Sequence, residues 1–195
     1  MHEPTSDPPL WEVVASEELQ DCAVFRVRRD HARSPRTGQI HPFYGIEADG
    51  WVNVVPVTTS GEVVMVRQYR HGTRELTLEI PGGIIDPGET PVEAAGRELL
   101  EETGYAGGHL VPLGSVNPNP ALFANRVHTF IARGVELRQA IQQSGTEETA
   151  VVLLPVDSIR NAIESGQIDH ALVVVALCRW LLEGEANSMA TEGTA

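Results

Sequence analysis

Residues 83–105 read GIIDPGETPVEAAGRELLEETGY, and the spacing of glycine and charge within them decides how the rest of the chain is understood. Thr90 followed three residues later by Glu93 makes a capping box, and Pro91 takes the first helical position, which tolerates proline best. The stretch therefore predicts a helix over Pro91–Thr103, with Gly104 as its left-handed stop. At about 100° per residue, Val92, Ala95, Gly96, Leu99 and Leu100 share one side, while Arg97, Glu98, Glu101 and Glu102 share the other. Like charges at i, i+3 and i, i+4 destabilise an isolated helix by about 0.2–0.5 kcal/mol per pair. A hard divalent cation offsets this best, because Mg²⁺ takes oxygen ligands and keeps water and substrate phosphates in its shell. A solvated acidic face is the alternative for such a run taken by itself.

The whole stretch resembles the signature of the Nudix hydrolase family, with Tyr105 in the final apolar slot. That signature covers 23 of the 195 residues. Two further likenesses point to the ADP-ribose pyrophosphatase branch: the RQYR run ending at Arg70, and Pro120, sixteen positions after Gly104. The resemblance implies an α/β fold, an αβα sandwich with a mixed sheet, and hydrolysis of the pyrophosphate bond of a nucleoside diphosphate linked to another moiety. ADP-ribose cleaved to AMP and ribose 5-phosphate is the expected reaction, with GDP-mannose or a broad set of nucleotide sugars as the alternative. It also implies Mg²⁺, with Mn²⁺ as a substitute, held by Glu98, Glu101 and Glu102 together with the main-chain carbonyl of Gly82. Glu89 belongs to that metal site or lies directly behind it, and Arg97 orients the carboxylates through ion pairs.

Composition bounds the rest. A chain of 195 residues, 42% hydrophobic, is long enough for one sizeable core. The expected organisation is a lead-in and accessory sheet over 1–48, a hydrolase domain over 49–185, and a disordered tail over 186–195. The net charge is −13, and all 14 basic residues are arginine, without clustering, which argues against a nucleic-acid partner. Two cysteines, Cys22 and Cys178, lack metal spacing and provide no disulfide framework, so both are expected to be buried thiols in a reducing cytoplasm. The acidic, proline-bearing N-terminus has no apolar run that would make a secretory signal, and no segment reaches the roughly 18 apolar residues of a membrane span.

Ahead of the decisive stretch, WEVVA, CAVFRVRR and IHPFYGIEA are short strand-like runs divided by the polar DHARSPRTGQ, which predicts a small N-terminal antiparallel sheet. In the branch resembled, the matching segment joins two subunits and helps to form the nucleoside pocket. A homodimer is implied, and Phe43 and above all Tyr44 become candidates for stacking on a base, with simple packing on the sheet as the other role open to both rings. Strands are expected over 51–57 and 62–69, around a TTSGE turn. Arg70 at the end of the second can form a bidentate pair with a substrate phosphate or with Glu79. Residues 76–80 lead into Pro81-Gly82-Gly83, where glycine lets the backbone approach a ligand closely.

After the signature, strands are expected over 110–116, 126–132 and 150–155, and helices over 157–165 and 169–182. The NPNPALFAN loop with Pro120 should lie near substrate. The polar segment 136–149 has the composition of a mobile lid, and the resemblance puts a general-base glutamate there: Glu147, or else Glu148, with Glu101 in reserve. A solvated acidic turn is the alternative role for that pair. A nucleotide-sensing module that binds without cleaving would be expected to lose a metal carboxylate, and all are present. Isomerase chemistry on isoprenoid diphosphates would need acid–base cysteine and glutamate residues that are not found.

Overall fold

The apolar runs of the chain fall into two compact units, seen in a computed structural model that describes residues 7–142 and 148–192. Unit 1 combines the chain up to Asp49 with Asn119–Asn125, and unit 2 combines Gly50–Pro118 with the chain from Arg126 onward. Glu147, a candidate base, lies outside the described residues.

Unit 1 is the expected antiparallel sheet, in the order β1 (Glu12–Asp21), β2 (Arg26–Arg33), β3 (Ile40–Glu47). β2 runs further into the polar divider than the sequence suggests, because its arginines are met by acids on the neighbouring strands and within β2 itself. Arg29 Nε donates to Glu17 Oε1 at 2.8 Å, Arg33 Nε to Glu12 Oε2 at 3.1 Å, and Arg28 pairs with Asp30 at 2.9 Å within β2. Segment 119–125 joins the edge of β3: Ile46 N–H donates to the Leu122 carbonyl at 2.6 Å, and Ala124 N–H to the Ile46 carbonyl at 3.2 Å. Cys22 is exposed in the β1–β2 turn, which corrects the expectation of a buried thiol. Ala23 there adopts φ 65°, its N–H held by the Asp21 carboxylate, so the turn stands clear of any core.

Unit 2 is built on β4 (Trp51–Thr58), β5 (Glu62–Arg70), β6 (Glu75–Glu79), β7 (Gly82–Ile84), β8 (Tyr105–Ala106), β9 (His109–Val116), β10 (Val127–Leu137) and β11 (Thr149–Pro155). The main sheet runs β11-β5-β4-β10-β8, with β6 on β5, β7 on β4 and β9 on β10. β10 and β4 are parallel, from Val127 opposite Trp51 onward, and the other pairings are antiparallel. It is thus a mixed sheet.

Residues on alternate positions of a strand point to opposite faces, and here both faces are covered. Val52 and Val54 of β4, Val64 of β5, and Phe130 and Ala132 of β10 pack with Ala94, Ala95 and Leu99 of α1 (Pro91–Thr103). The intervening Val55, Val63, Met65 and Ile131 pack with Ile159 and Ala162 of α2 (Ile159–Glu164), and with Val173, Ala176, Leu177 and Trp180 of α3 (Ala171–Glu192). This is the αβα sandwich. α2 starts two residues later than expected because Val156–Ser158 form a 3-10 turn, and the α3 backbone continues past residue 182.

α1 has the boundaries its caps dictate: Thr90 and Glu93 exchange both capping-box bonds, and Gly104 is left-handed at φ 73°. A Cβ at Gly104 would run into the Gln139 carbonyl, so glycine is required there twice over. The buried stripe is rotated from the one expected. Val92 is 43% exposed, whereas Ala94, Glu102 and Thr103 are buried. The reason is that α1 lies across β4 and β7, and the second half of its inner face meets the glycine backbone of β7.

Candidate active site

That rotation places the first carboxylate. Glu102 Oε2 accepts from Gly82 N–H at 2.8 Å, so a buried acid of the helix is tied to the main chain of the glycine strand. Thr149 Oγ donates to the Glu102 carbonyl oxygen at 3.0 Å, which fixes the last turn of α1 against the start of β11. Gly82 itself sits so tightly on β4 that a Cβ would overlap the backbone of Val52 and Asn53. At Gly83 a Cβ would overlap the Glu98 carboxylate, so this second acid lies directly over the glycine strand as well. The two glycines are cradles for two glutamates.

Arg97 joins the remaining acids. Its Nε and Nη2 donate to the two carboxylate oxygens of Glu89, each at 2.9 Å. Nη1 donates to Glu98 Oε1 at 2.8 Å and to Glu101 Oε2 at 3.3 Å, and Nη2 also reaches the Ile84 carbonyl at 3.0 Å. A guanidinium offers five donors in a planar fork, and here one fork collects three acids and the end of β7. Hydrogen bonds from Arg97 hold the Glu89 carboxyl below its ordinary range, against the opposing pull of burial and with help from the Asp86 N–H. Glu89 in turn raises the Arg97 pKa, assisted by Glu98 and opposed by burial. Both groups stay charged at any physiological pH.

Of the expected metal residues, Glu98, Glu101 and Glu102 therefore share one side of α1 with Gly82 at its base, and Glu89, which precedes the helix, is joined to them through Arg97. Among the described residues, no three His, Cys, Asp or Glu side chains already surround a cation position. Three of these acids face Arg97 instead. The donor set nonetheless fits a hard cation by chemistry: four carboxylates stand against one guanidinium, and every available ligand atom is oxygen.

Arg70 lies on a separate open cavity of about 970 Å³ in unit 2, lined also by His71, Thr77, Glu148, Asp169 and His170. Its Nε and Nη2 donate to the two oxygens of Glu79, each at 2.7 Å, and Thr77 Oγ donates to Glu79 Oε1 at 2.6 Å. Glu79 is 2% exposed. Burial works to raise its carboxyl, but Arg70, Thr77 and the more distant His170 bring it below the ordinary value. The carboxylate partner that the sequence left open for Arg70 is thus present. Arg70 itself stays partly exposed, at 41% of its side chain, on the cavity wall. Glu148, exposed, lines the same cavity.

Tyr44 and Pro120 belong to unit 1, on β3 and in segment 119–125. Tyr44 is 53% exposed, opposite Arg29 on β2. Phe43 is packed edge-on against Trp11, with ring centroids 5.2 Å apart. Pro120 sits in a turn closed by the Asn119 carbonyl, which accepts from Leu122 N–H at 3.0 Å and Phe123 N–H at 2.8 Å. Sequence reasoning missed Thr77 and His170, because only the pairing of β6 with β5 and the start of α3 bring them to Arg70 and Glu79.

Comparison with known proteins agrees with this architecture. A solved ADP compounds hydrolase superposes with a TM-score of 0.79, at 23% identity over 93% of this chain and 98% of that one, a likeness of fold. The ADP-ribose pyrophosphatase of Mycobacterium tuberculosis is 29% identical over 171 residues, 86% of this chain and 81% of its own. The mouse ADP-sugar pyrophosphatase is 29% identical over 191 residues, 89% of this chain and 87% of its own. The family model of the NUDIX domain matches residues 51–175. That span contains the capped helix, the glycine strand and the four acids Glu89, Glu98, Glu101 and Glu102, and the chain belongs to the Nudix hydrolase family.

Proposed function

We propose that the chain hydrolyses the pyrophosphate bond of ADP-ribose, giving AMP and ribose 5-phosphate, with Mg²⁺ as the metal and Mn²⁺ able to replace it. The observation that carries this is the cluster of acids on and just before α1, with Glu98 and Glu102 lying on the glycine strand and Glu89, Glu98 and Glu101 gathered by Arg97. The relatives named for ADP-ribose and ADP-sugar hydrolysis, aligned over most of the chain, supply the substrate class.

Glu98 and Glu102, assisted by Glu101 and the Gly82 carbonyl, would hold the cation. A cation held by these groups would supply neutralisation of diphosphate charge and a water of lowered pKa. Arg97 keeps Glu98 and Glu101 oriented and balances their charge, while Glu89 fixes Arg97. Arg70, clamped by Glu79, offers a fixed positive charge to a substrate phosphate. Glu147 or Glu148 is the candidate base, with Glu148 on the wall of the Arg70 cavity in support. Tyr44 and Pro120 are assigned to the nucleoside. The exposed apolar residues Val13, Leu19, Val24 and Phe43 of unit 1 support a homodimer through that sheet. No helix among the described residues is long and apolar enough to cross a membrane, and we place the enzyme in the cytoplasm.

Replacing Glu98 by Gln keeps its shape and removes its charge. Turnover of ADP-ribose in Mg²⁺ should fall by about two orders of magnitude or more, roughly 2.7 kcal/mol of barrier. A rate in the wild-type range from Glu98→Gln would refute the metal assignment. The same assay on Glu147→Gln and Glu148→Gln, with its pH profile, identifies the base; two unchanged profiles would remove both candidates.

The open cavity and the mouse relative's name favour a second reading in which several ADP-sugars are cleaved at comparable rates. Parallel assays on ADP-ribose and ADP-glucose separate the two.

A further inference from the structure

The cavity that holds Arg70 also contains an imidazole. His170 lines it, half-buried, immediately before α3. Its carbonyl accepts the Val174 N–H at 2.9 Å, so its backbone is locked into the opening turn of a long helix. Nδ1 is shut off from water with no hydrogen-bond partner among the described residues.

An orphaned buried N–H is rarer and costlier than an orphaned acceptor. With Nδ1 enclosed, Nε2 is the ring nitrogen left to meet a ligand in the cavity that His170 lines. Around it stand groups of complementary kinds. Arg70 is a cation clamped by Glu79, and His71 is held edge-on by Tyr69 with ring centroids 5.1 Å apart. Asp169, Glu148 and Thr77 provide acceptors. A fixed cation suits a phosphate monoester, and carboxylates beside imidazole and hydroxyl groups suit the vicinal hydroxyls of a sugar. At about 970 Å³ the space is ample for both.

Resting on the hydrolase reading above, we propose that this cavity receives the sugar-phosphate half of the substrate, and that His170 is a specificity-determining residue that donates from Nε2 to it. The nucleoside half makes no use of His170. Substrates that share the nucleoside and differ in the distal moiety are distinguished here.

The test uses the two products as inhibitors of the full-length enzyme, with ribose 5-phosphate and AMP titrated separately against ADP-ribose hydrolysis. His170→Ala should weaken inhibition by ribose 5-phosphate about fivefold to tenfold, the value of one lost hydrogen bond, and leave inhibition by AMP unchanged. His170→Gln, whose amide N–H₂ falls near the position of Nε2, should recover most of the loss. Unaltered ribose 5-phosphate inhibition in His170→Ala, an equal loss of AMP inhibition, or no recovery in His170→Gln would each overturn the assignment of His170. Wild-type enzyme that cleaves no nucleoside diphosphate sugar would instead overturn the hydrolase reading itself.

Discussion

At the scale of single residues, the two arginines that matter are held in opposite ways. Arg97 is shared among Glu89, Glu98 and Glu101, whereas Arg70 is locked by a buried acid whose hydrogen bonds come from Arg70 and Thr77. Arg70 and Thr77, against the pull of burial, hold the Glu79 carboxyl below its ordinary value of 4.5, so the folded state binds fewer protons than the unfolded chain near that pH. Its stabilising effect is accordingly complete above about pH 4.5 and is lost as pH falls through the lower folded value. Glu79→Gln should cost about 1–3 kcal/mol at pH 7, the range for disrupting a buried charged hydrogen-bond set. In chemical denaturation at pH 7 and again well below pH 4.5, the gap between wild type and Glu79→Gln should narrow on acidification. A gap that stays constant would mean that Glu79 does not act through its charge.

At the scale of elements, α1 shows which features can be seen in a sequence and which need the fold. Its start and end are dictated by neighbours one turn away, and the capping box and Gly104 are where the sequence puts them. Thr90→Ala should therefore cost about 1 kcal/mol and lower Tm by roughly 2–4 °C; a calorimetric midpoint within error of wild type would show that the box is not stabilising. The burial stripe was not legible, because whether Val92 or Ala94 faces inward depends on where β4 and β7 pass beneath the helix. β7 and β8 are three and two residues long, too short to show any periodicity. The acids of the site were legible by type and spacing. Their attachment to Gly82, Gly83 and a single arginine was not, since those bonds join strand to helix. Glu79 was visible as one of two possible partners for Arg70, while His170, about a hundred residues further along the chain, carried no local signal.

At the scale of the whole molecule, the net charge is −13 and arginine supplies every basic side chain, so under the proposed reading phosphate would be met by metal and by a few placed arginines. The homodimer proposed above rests on the apolar exposure of unit 1. A two-fold dimer is the commonest solution for such a surface, so light scattering at micromolar concentration should give twice the chain mass of 21.2 kDa. A mass of one chain, or Leu19→Glu with Phe43→Glu leaving a dimer intact, would place the interface elsewhere or remove it. The central claim, a metal-dependent hydrolase for ADP-ribose, meets its most direct test in kcat/KM measured for ADP-ribose, GDP-mannose and ATP under identical Mg²⁺, and again with EDTA. The prediction is that ADP-ribose is the best of the three, yields AMP and ribose 5-phosphate, and is not cleaved with EDTA present; a preference for ATP, or hydrolysis that survives EDTA, would contradict it.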